Sequence, residues 1–335
     1  MLRLPVFRYH RPDSLASAID LLGEHGASAL PVAGGTDLIP NMKHHLFEPK
    51  HLVGLSAIAE LRSIEVGSGW LVLGSGVSLA QVASHEAVLE HAPALAEAAR
   101  HVAGPQLRNR GTIGGNLCLE TRCTYYNQTA FWREALGFCL KKDGEVCHVT
   151  GVGRKCVAAH SADTPPVLMV LRAEVELAGP QGARSMPISE FFVADGIRNT
   201  RREAGELVTR IRIPLPGPGG RAAYAKLRQR GSIDFPLLTV AVGVSAQPDG
   251  TVADLRGVVT ALGSRPRELS GWNEMASGEV LNDDLVEALA LRAYEQCHPL
   301  ENLVVDPEWR RAMVPVYIRR ALDRLRDPAP GTLSG

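Results

Sequence analysis

The chain has no charge excess. Its 335 residues carry 36 Lys and Arg against 36 Asp and Glu, a formal net charge of zero. A nucleic-acid protein normally shows a basic surplus, so that class is set aside. No run of 18 apolar residues exists, and no segment is expected to span a bilayer. The N-terminal MLRLPVFRYHRPDS lacks the apolar stretch of a secretory signal, which makes a cytoplasmic location the default expectation. Internal repeats and low-complexity tracts are missing. Neither G-x-G-x-x-G nor G-x-x-x-x-G-K-[ST] occurs, which argues against a Rossmann fingerprint and a nucleotide-hydrolysing P-loop. Hydrolase signatures of the G-x-S-x-G and H-E-x-x-H kinds are absent as well. His10, His44, His45 and His51 show no ligand spacing. At 45% apolar and 21% charged residues, what is left is an ordinary globular composition.

Local patterns predict mixed α and β structure in the first part. A helix is expected over 13–23, capped by Asp13 and carrying Leu15, Ala18, Ile19 and Leu22 on one face. Residues 28–33, 51–55 and 70–74 read as strands, and 77–83 and 93–103 as helices. Residues 118–160 have no clear period and read as an insertion wrapped around something other than its own apolar core. A loop of that length is uncommon unless it is functional or disordered. An apolar run resumes at 166–177. Residues 207–213, 222–230, 237–246 and 254–262 read as successive strands between Gly and Pro turns. Helices are expected over 284–296 and 307–326. The expected fold is α+β: residues 1–220 as one domain with 118–160 inserted, 221–327 as a smaller antiparallel sheet backed by helices, and 328–335 as a tail.

Two glycine turns stand out. VAGGTD (Val32–Asp37) follows a strand, and GTIGGN (Gly111–Asn116) repeats its chemistry. Paired glycines permit positive φ and close backbone approach, so that several N–H groups can converge on a phosphate. Each carries a Thr hydroxyl, from Thr36 and Thr112. One Gly-Gly pair is most often a tight turn; two in one domain point to a pyrophosphate clamp.

Six cysteines are present, five of them between Cys118 and Cys156. The spacing is Cys118-x4-Cys123-x15-Cys139-x7-Cys147-x8-Cys156, without a C-x2-C pair. That disfavours a common zinc ribbon or a bacterial ferredoxin motif. A [4Fe–4S] cluster, a structural zinc held by four thiolates or by three with His148 or His160, and a disulfide all stay open. Cys297, at the end of an expected helix, reads as a buried structural thiol.

VAGGTDLIP, LRNRGTIGGNL, YAKLRQRGSIDFPLLTVAV and RRAMVPVYIRRAL together resemble the FAD-binding subunit of the xanthine dehydrogenase group of molybdenum hydroxylases. The resemblance spans essentially the whole chain. It implies the two-lobed FAD-binding fold of that group and a clamp on the FAD pyrophosphate. By motif match, Val32, Ala33, Gly34, Gly35, Thr36, Asp37, Thr112, Gly114, Gly115 and Asn116 should contact FAD. SADTPPVLMVL carries Asp163 to the FAD side, Lys226 matches an FAD-contacting Lys, and Leu207 is a weaker match near the flavin. TRCTYYNQ, GFCLKKDGEVCHV and the Lys155-Cys156 pair look like the extra loop of the 4-hydroxybenzoyl-CoA reductase beta-subunit family, which binds an additional [4Fe–4S] cluster. That resemblance implies Cys123, Cys139, Cys147 and Cys156 as ligands and omits Cys118, which sits beside the clamp.

The resemblance further implies a molybdopterin-containing large subunit, a small subunit with two [2Fe–2S] clusters, a dimer of heterotrimers, and ferredoxin as electron donor. Electrons would enter through the cysteine loop and cross FAD to molybdenum, where an aromatic CoA thioester loses its para-hydroxyl on another chain. Lys141, Lys142, Arg154 and Lys155 would attract an acidic ferredoxin or form a solvated surface. Tyr125, Tyr126, Phe131 and Trp132 would shield the cluster or pack the insertion. Other readings are an oxidising hydroxylase subunit, a flavin module with structural zinc, and a free-standing oxidase.

Overall fold

The computed structural model describes residues 2–326, so the expected tail at 328–335 lies outside the described residues. Three sheets organise the chain. The first is parallel, in the order β1–β3–β2, with β1 at Arg8–His10, β2 at Ala29–Val32 and β3 at His51–Gly54. Helix α1 (Leu15–His25) covers one face of it through Ala18 and Leu22, which pack with Val53. Its N-cap is Ser14, whose hydroxyl accepts from the Ser17 N–H at 3.2 Å; the expected Asp13 cap lies one residue too early.

The second sheet is antiparallel, in the order β4–β5–β8–β6–β7. Its strands are β4 (Ile64–Gly67), β5 (Trp70–Gly74), β6 (Glu174–Gly179), β7 (Gly182–Pro187) and β8 (Leu207–Pro214). Residues 207–213 therefore lie in this second sheet. They bridge β5 and β6 because the buried side chains Val208, Ile211 and Ile213 complete the apolar face that Leu71, Leu73, Val175 and Leu177 begin. The third sheet, β12–β11–β10–β9, comprises β9 (Arg221–Leu227), β10 (Leu238–Ala246), β11 (Val252–Thr260) and β12 (Arg267–Glu268). Helices Asp283–Gln296 and Pro307–Arg326 back it, as the sequence predicts. Cys297 is buried in this core.

The apolar run at 166–177 divides into helix Thr164–Val170 and the start of β6. That helix is buried along its whole length and packs against Tyr224, Ala241 and Val258 of the third sheet. It locks the two halves together and holds Asp163 between them. The helix expected over 93–103 stops at Arg100. Residues 118–160 contain one six-residue helix, Ala130–Ala135, and are otherwise turns and isolated bridges. Their small apolar cluster is built from Cys123, Tyr126, Cys156 and Ala158 against Leu46, so the insertion packs around its cysteines.

A flavin crevice and a separate thiol pocket

The loop after β2 runs beside the loop before helix Ile113–Leu117, and a crevice opens along the seam. It has two compartments, of about 570 and 390 Å³, that share Ala33, Gly34, Asp37, Thr112 and Gly115 in their walls. Ligand sites generally fall in the range of about 300–1,000 Å³, so an extended molecule can lie across both with its middle at the glycines.

The two glycine loops differ in kind. Gly35 has φ +72°, a left-handed conformation that glycine adopts freely. Among the described residues, the backbone N–H groups of Gly34, Gly35, Thr36 and Asp37 have no protein acceptor. Successive unpaired N–H groups in a loop of this shape form a concave anion site. In the second loop the N–H groups are already occupied. Ile113 donates to Val77 O at 2.9 Å, Gly114 to Ser75 O at 2.9 Å, Gly115 to Thr112 Oγ1 at 3.0 Å and Asn116 to Thr112 O at 2.9 Å. Thr112 thus caps its helix, and the second loop acts as a wall.

The glycines of that wall allow close packing. A Cβ on Gly34 would lie 1.9 Å from Arg110 O, and one on Gly114 would lie 2.6 Å from Ser75 Cβ. Gly34 lets the two loops touch, and Gly114 lets the second reach the end of β5. Gly115 faces the crevice with only Thr112 Oγ1 nearby. The Asp37 carboxylate turns away from the unpaired N–H groups; it pairs with Arg122 and accepts from the Glu120 N–H at 3.4 Å. Asn116 Oδ1 accepts from the Thr164 hydroxyl at 2.6 Å, tying the wall to the buried helix.

Asp163 lines the smaller compartment and is buried. It accepts from the Tyr224 hydroxyl at 2.6 Å and from Lys226 Nζ at 2.9 Å. Burial raises its carboxyl pKa, with Lys226 opposing. Lys226 is fully enclosed, and its ammonium also donates to His101 O at 2.9 Å and Asp234 O at 3.0 Å. Its three N–H donors are spent, so it positions Asp163 and the 234–235 turn and lies outside the crevice wall. Leu207 lines the larger compartment and Val32 the smaller. Sequence reasoning missed Arg62, Arg110 and Arg202 in the larger compartment and Phe235 with Arg122 in the smaller. Arginines scattered over 140 positions leave no local signal, although LRNRGTIGG already places Arg110 beside the clamp.

The cysteines fall into two places. Cys123, Cys139, Cys147 and Cys156 are buried, unbridged, and line one small pocket with Tyr125, Tyr126, Lys141 and His148. Cys118 lies in the crevice wall instead. Burial, then the three neighbouring thiols, pushes the Cys123 thiol up to about 11. Burial raises Cys156, with the Ala158 N–H and Lys141 opposing. For Cys147, burial is outweighed by hydrogen bonds from Thr150 and nearby backbone N–H groups, and its pKa falls. His160 does not reach the pocket: it is fully buried, with Nδ1 2.9 Å from Thr260 Oγ1 and its ring against Phe192. Tyr126 is buried, whereas Phe131 is 82% exposed and does not shield the thiols.

Polar groups link the pocket to the crevice. Glu120, in the crevice wall, pairs with Lys141 of the thiol pocket. Lys141 also lies over the Tyr126 ring at 4.7 Å.

Residues 5–216 match the FAD binding domain in molybdopterin dehydrogenase, and 222–325 match the CO dehydrogenase flavoprotein C-terminal domain. The chain belongs to this molybdopterin dehydrogenase FAD-binding family. It is 30% identical to the carbon monoxide dehydrogenase medium chain of Hydrogenophaga pseudoflava over 320 residues, 95% of this chain and 96% of that one. It is 34% identical to the FAD-binding subunit of an Escherichia coli aldehyde oxidoreductase over 258 residues, 74% and 80% of the two chains. The solved H. pseudoflava carbon monoxide dehydrogenase superposes with a TM-score of 0.78, covering 96% of this chain and 97% of that one. The protein is thus an FAD-binding medium subunit of the molybdenum hydroxylase type, with the mixed fold the sequence predicts. Among the described residues, no helix is long and apolar enough to cross a membrane.

Proposed function

We propose that this chain is an electron-transfer subunit holding FAD in the crevice and a [4Fe–4S] cluster in the thiol pocket. The observation that carries the second cofactor is the convergence of four buried, unbridged cysteines on a pocket of their own. The loop's resemblance favours a cluster over zinc, and Lys141 beside the enclosing Tyr126 supplies positive charge against the thiols.

Bound FAD exchanges one or two electrons and a cubane cluster exchanges one, so together they connect one-electron and two-electron chemistry. The chain's own residues bind and insulate. The N–H groups of 34–37 hold the pyrophosphate, and Asp163 with Lys226 and Tyr224 fixes the far wall. Lys141 supplies positive charge against the thiolates and, through Glu120, ties that pocket to the crevice.

The partners would be a molybdopterin-containing large subunit and a small subunit with [2Fe–2S] clusters, with a low-potential ferredoxin as donor. The loop's resemblance favours reductive dehydroxylation of an aromatic CoA thioester such as 4-hydroxybenzoyl-CoA on the large subunit. A second reading, favoured by relatives named carbon monoxide dehydrogenase and nicotine 6-hydroxylase, keeps the same subunit in an oxidising complex.

Rapid mixing with a one-electron, low-potential donor tests the relay. Flavin in the wild type should be reduced well before flavin in a Cys139→Ser, Cys147→Ser double variant that retains FAD. Equal rates would remove the thiol pocket from the electron path.

A further inference from the structure

Three imidazoles meet on the face of the parallel sheet that α1 covers. His10 ends β1, His51 begins β3, and His25 is the last residue of α1. Because Arg8 pairs with His51 and His10 with Val53, His10 and His51 lie two positions apart on the face that α1 covers. His10 Nε2 and His51 Nδ1 are 2.9 Å apart. The His25 ring centroid lies 3.7 Å from that of His51 and 5.1 Å from that of His10. One ring nitrogen from each residue falls within 4.8 Å of the other two, and all three side chains are half-buried.

We propose that His10, His25 and His51 form a binding site for a borderline divalent cation such as zinc, with solvent completing the coordination. Imidazole nitrogen is a preferred donor for such ions. The His10–His51 contact, a hydrogen bond at 2.9 Å, would open to the roughly 3.3 Å that two zinc-bound nitrogens at about 2.0–2.1 Å need in a tetrahedral shell. The negative end of the α1 dipole falls at His25, which favours a cation there. Glu24 Oε1, 3.9 Å from His25 Nδ1, adds an outer carboxylate. The ion would join β1, α1 and β3, three elements otherwise held by short strands and a small apolar cluster. The site shares no residue with the flavin crevice or the thiol pocket.

Equilibrium dialysis of the full-length, flavin- and iron-replete protein against zinc ions, read by elemental analysis, tests this. The wild type should hold one more zinc per chain than His25→Gln or His51→Asn, and zinc should raise its melting temperature. Each variant should bind that zinc at least about tenfold more weakly, since a three-donor site loses a donor. Because both enzymes carry the same cysteines, thiol-bound zinc cancels in the comparison. Identical zinc content in wild type and variants overturns the site. If a variant misfolds, a wild-type melting temperature unmoved by millimolar zinc overturns it equally.

Discussion

Replacing Gly34 with Ala puts the clamp under a defined strain. The new Cβ would stand 1.9 Å from Arg110 O and 2.5 Å from Arg110 C, both backbone atoms. Ordinary contact begins at 3.4 Å. One loop must therefore withdraw by about 1.5 Å, which separates the unpaired N–H groups of 34–37 from the Thr112–Gly115 wall. Overpacking of this kind costs about 1–3 kcal/mol. If that strain falls on the bound geometry, FAD affinity drops roughly 5- to 150-fold. Gly67→Ala is the control: its Cβ meets nothing within 4 Å, and Gly67 lies outside both compartments. Titrating apo-protein with FAD, followed by quenching of flavin fluorescence, measures both. Gly34→Ala binding FAD as tightly as the wild type, with the fold intact, would refute the two-loop clamp.

His160 gives a pH dependence with a definite sign. Burial lowers its pKa to about 3, against about 6.5 in an unfolded chain. The folded state binds fewer protons, so stability is full above about pH 6.5 and is lost as pH falls toward about 3. Between pH 8 and pH 5 the loss from this residue is about 2 kcal/mol. Denaturant unfolding should show it, and His160→Gln should flatten the curve; equal pH slopes would contradict the assignment. The paired change Glu120→Gln with Lys141→Met removes a buried cation from the thiol pocket without orphaning its partner. Potentiometric titration should find the cluster harder to reduce, with iron content kept, and an unchanged potential would count against Lys141. Cys118→Ser should retain full iron content, because Cys118 lies in the crevice wall. Lost iron would make it a ligand.

The glycine loops and the thiol quartet are legible in the sequence because both are local, dense and chemically distinctive. Their division of labour is not. Nothing in GTIGGN shows that its N–H groups are already used by Ser75 and Val77, since those partners come from another segment. Lys226 is marked only through the resemblance, and its three acceptors, from 101, 163 and 234, make it a positioning residue. Strand β8 is legible as a strand, but its partners β5 and β6 lie far earlier in the chain and nothing in its own residues names them. The histidine trio is invisible for the same reason: its members are 15 and 26 residues apart and meet only through strand pairing. Long-range register is what periodicity and spacing do not encode.

The central claim is a flavin and an iron–sulfur cluster on one chain. It is tested most directly by iron, sulfide and flavin content of anaerobically purified protein, with EPR before and after dithionite. The account predicts about four irons and four sulfides per FAD and a signal that appears on reduction. FAD with zinc, or FAD with no metal at the four thiols and no signal, would contradict it.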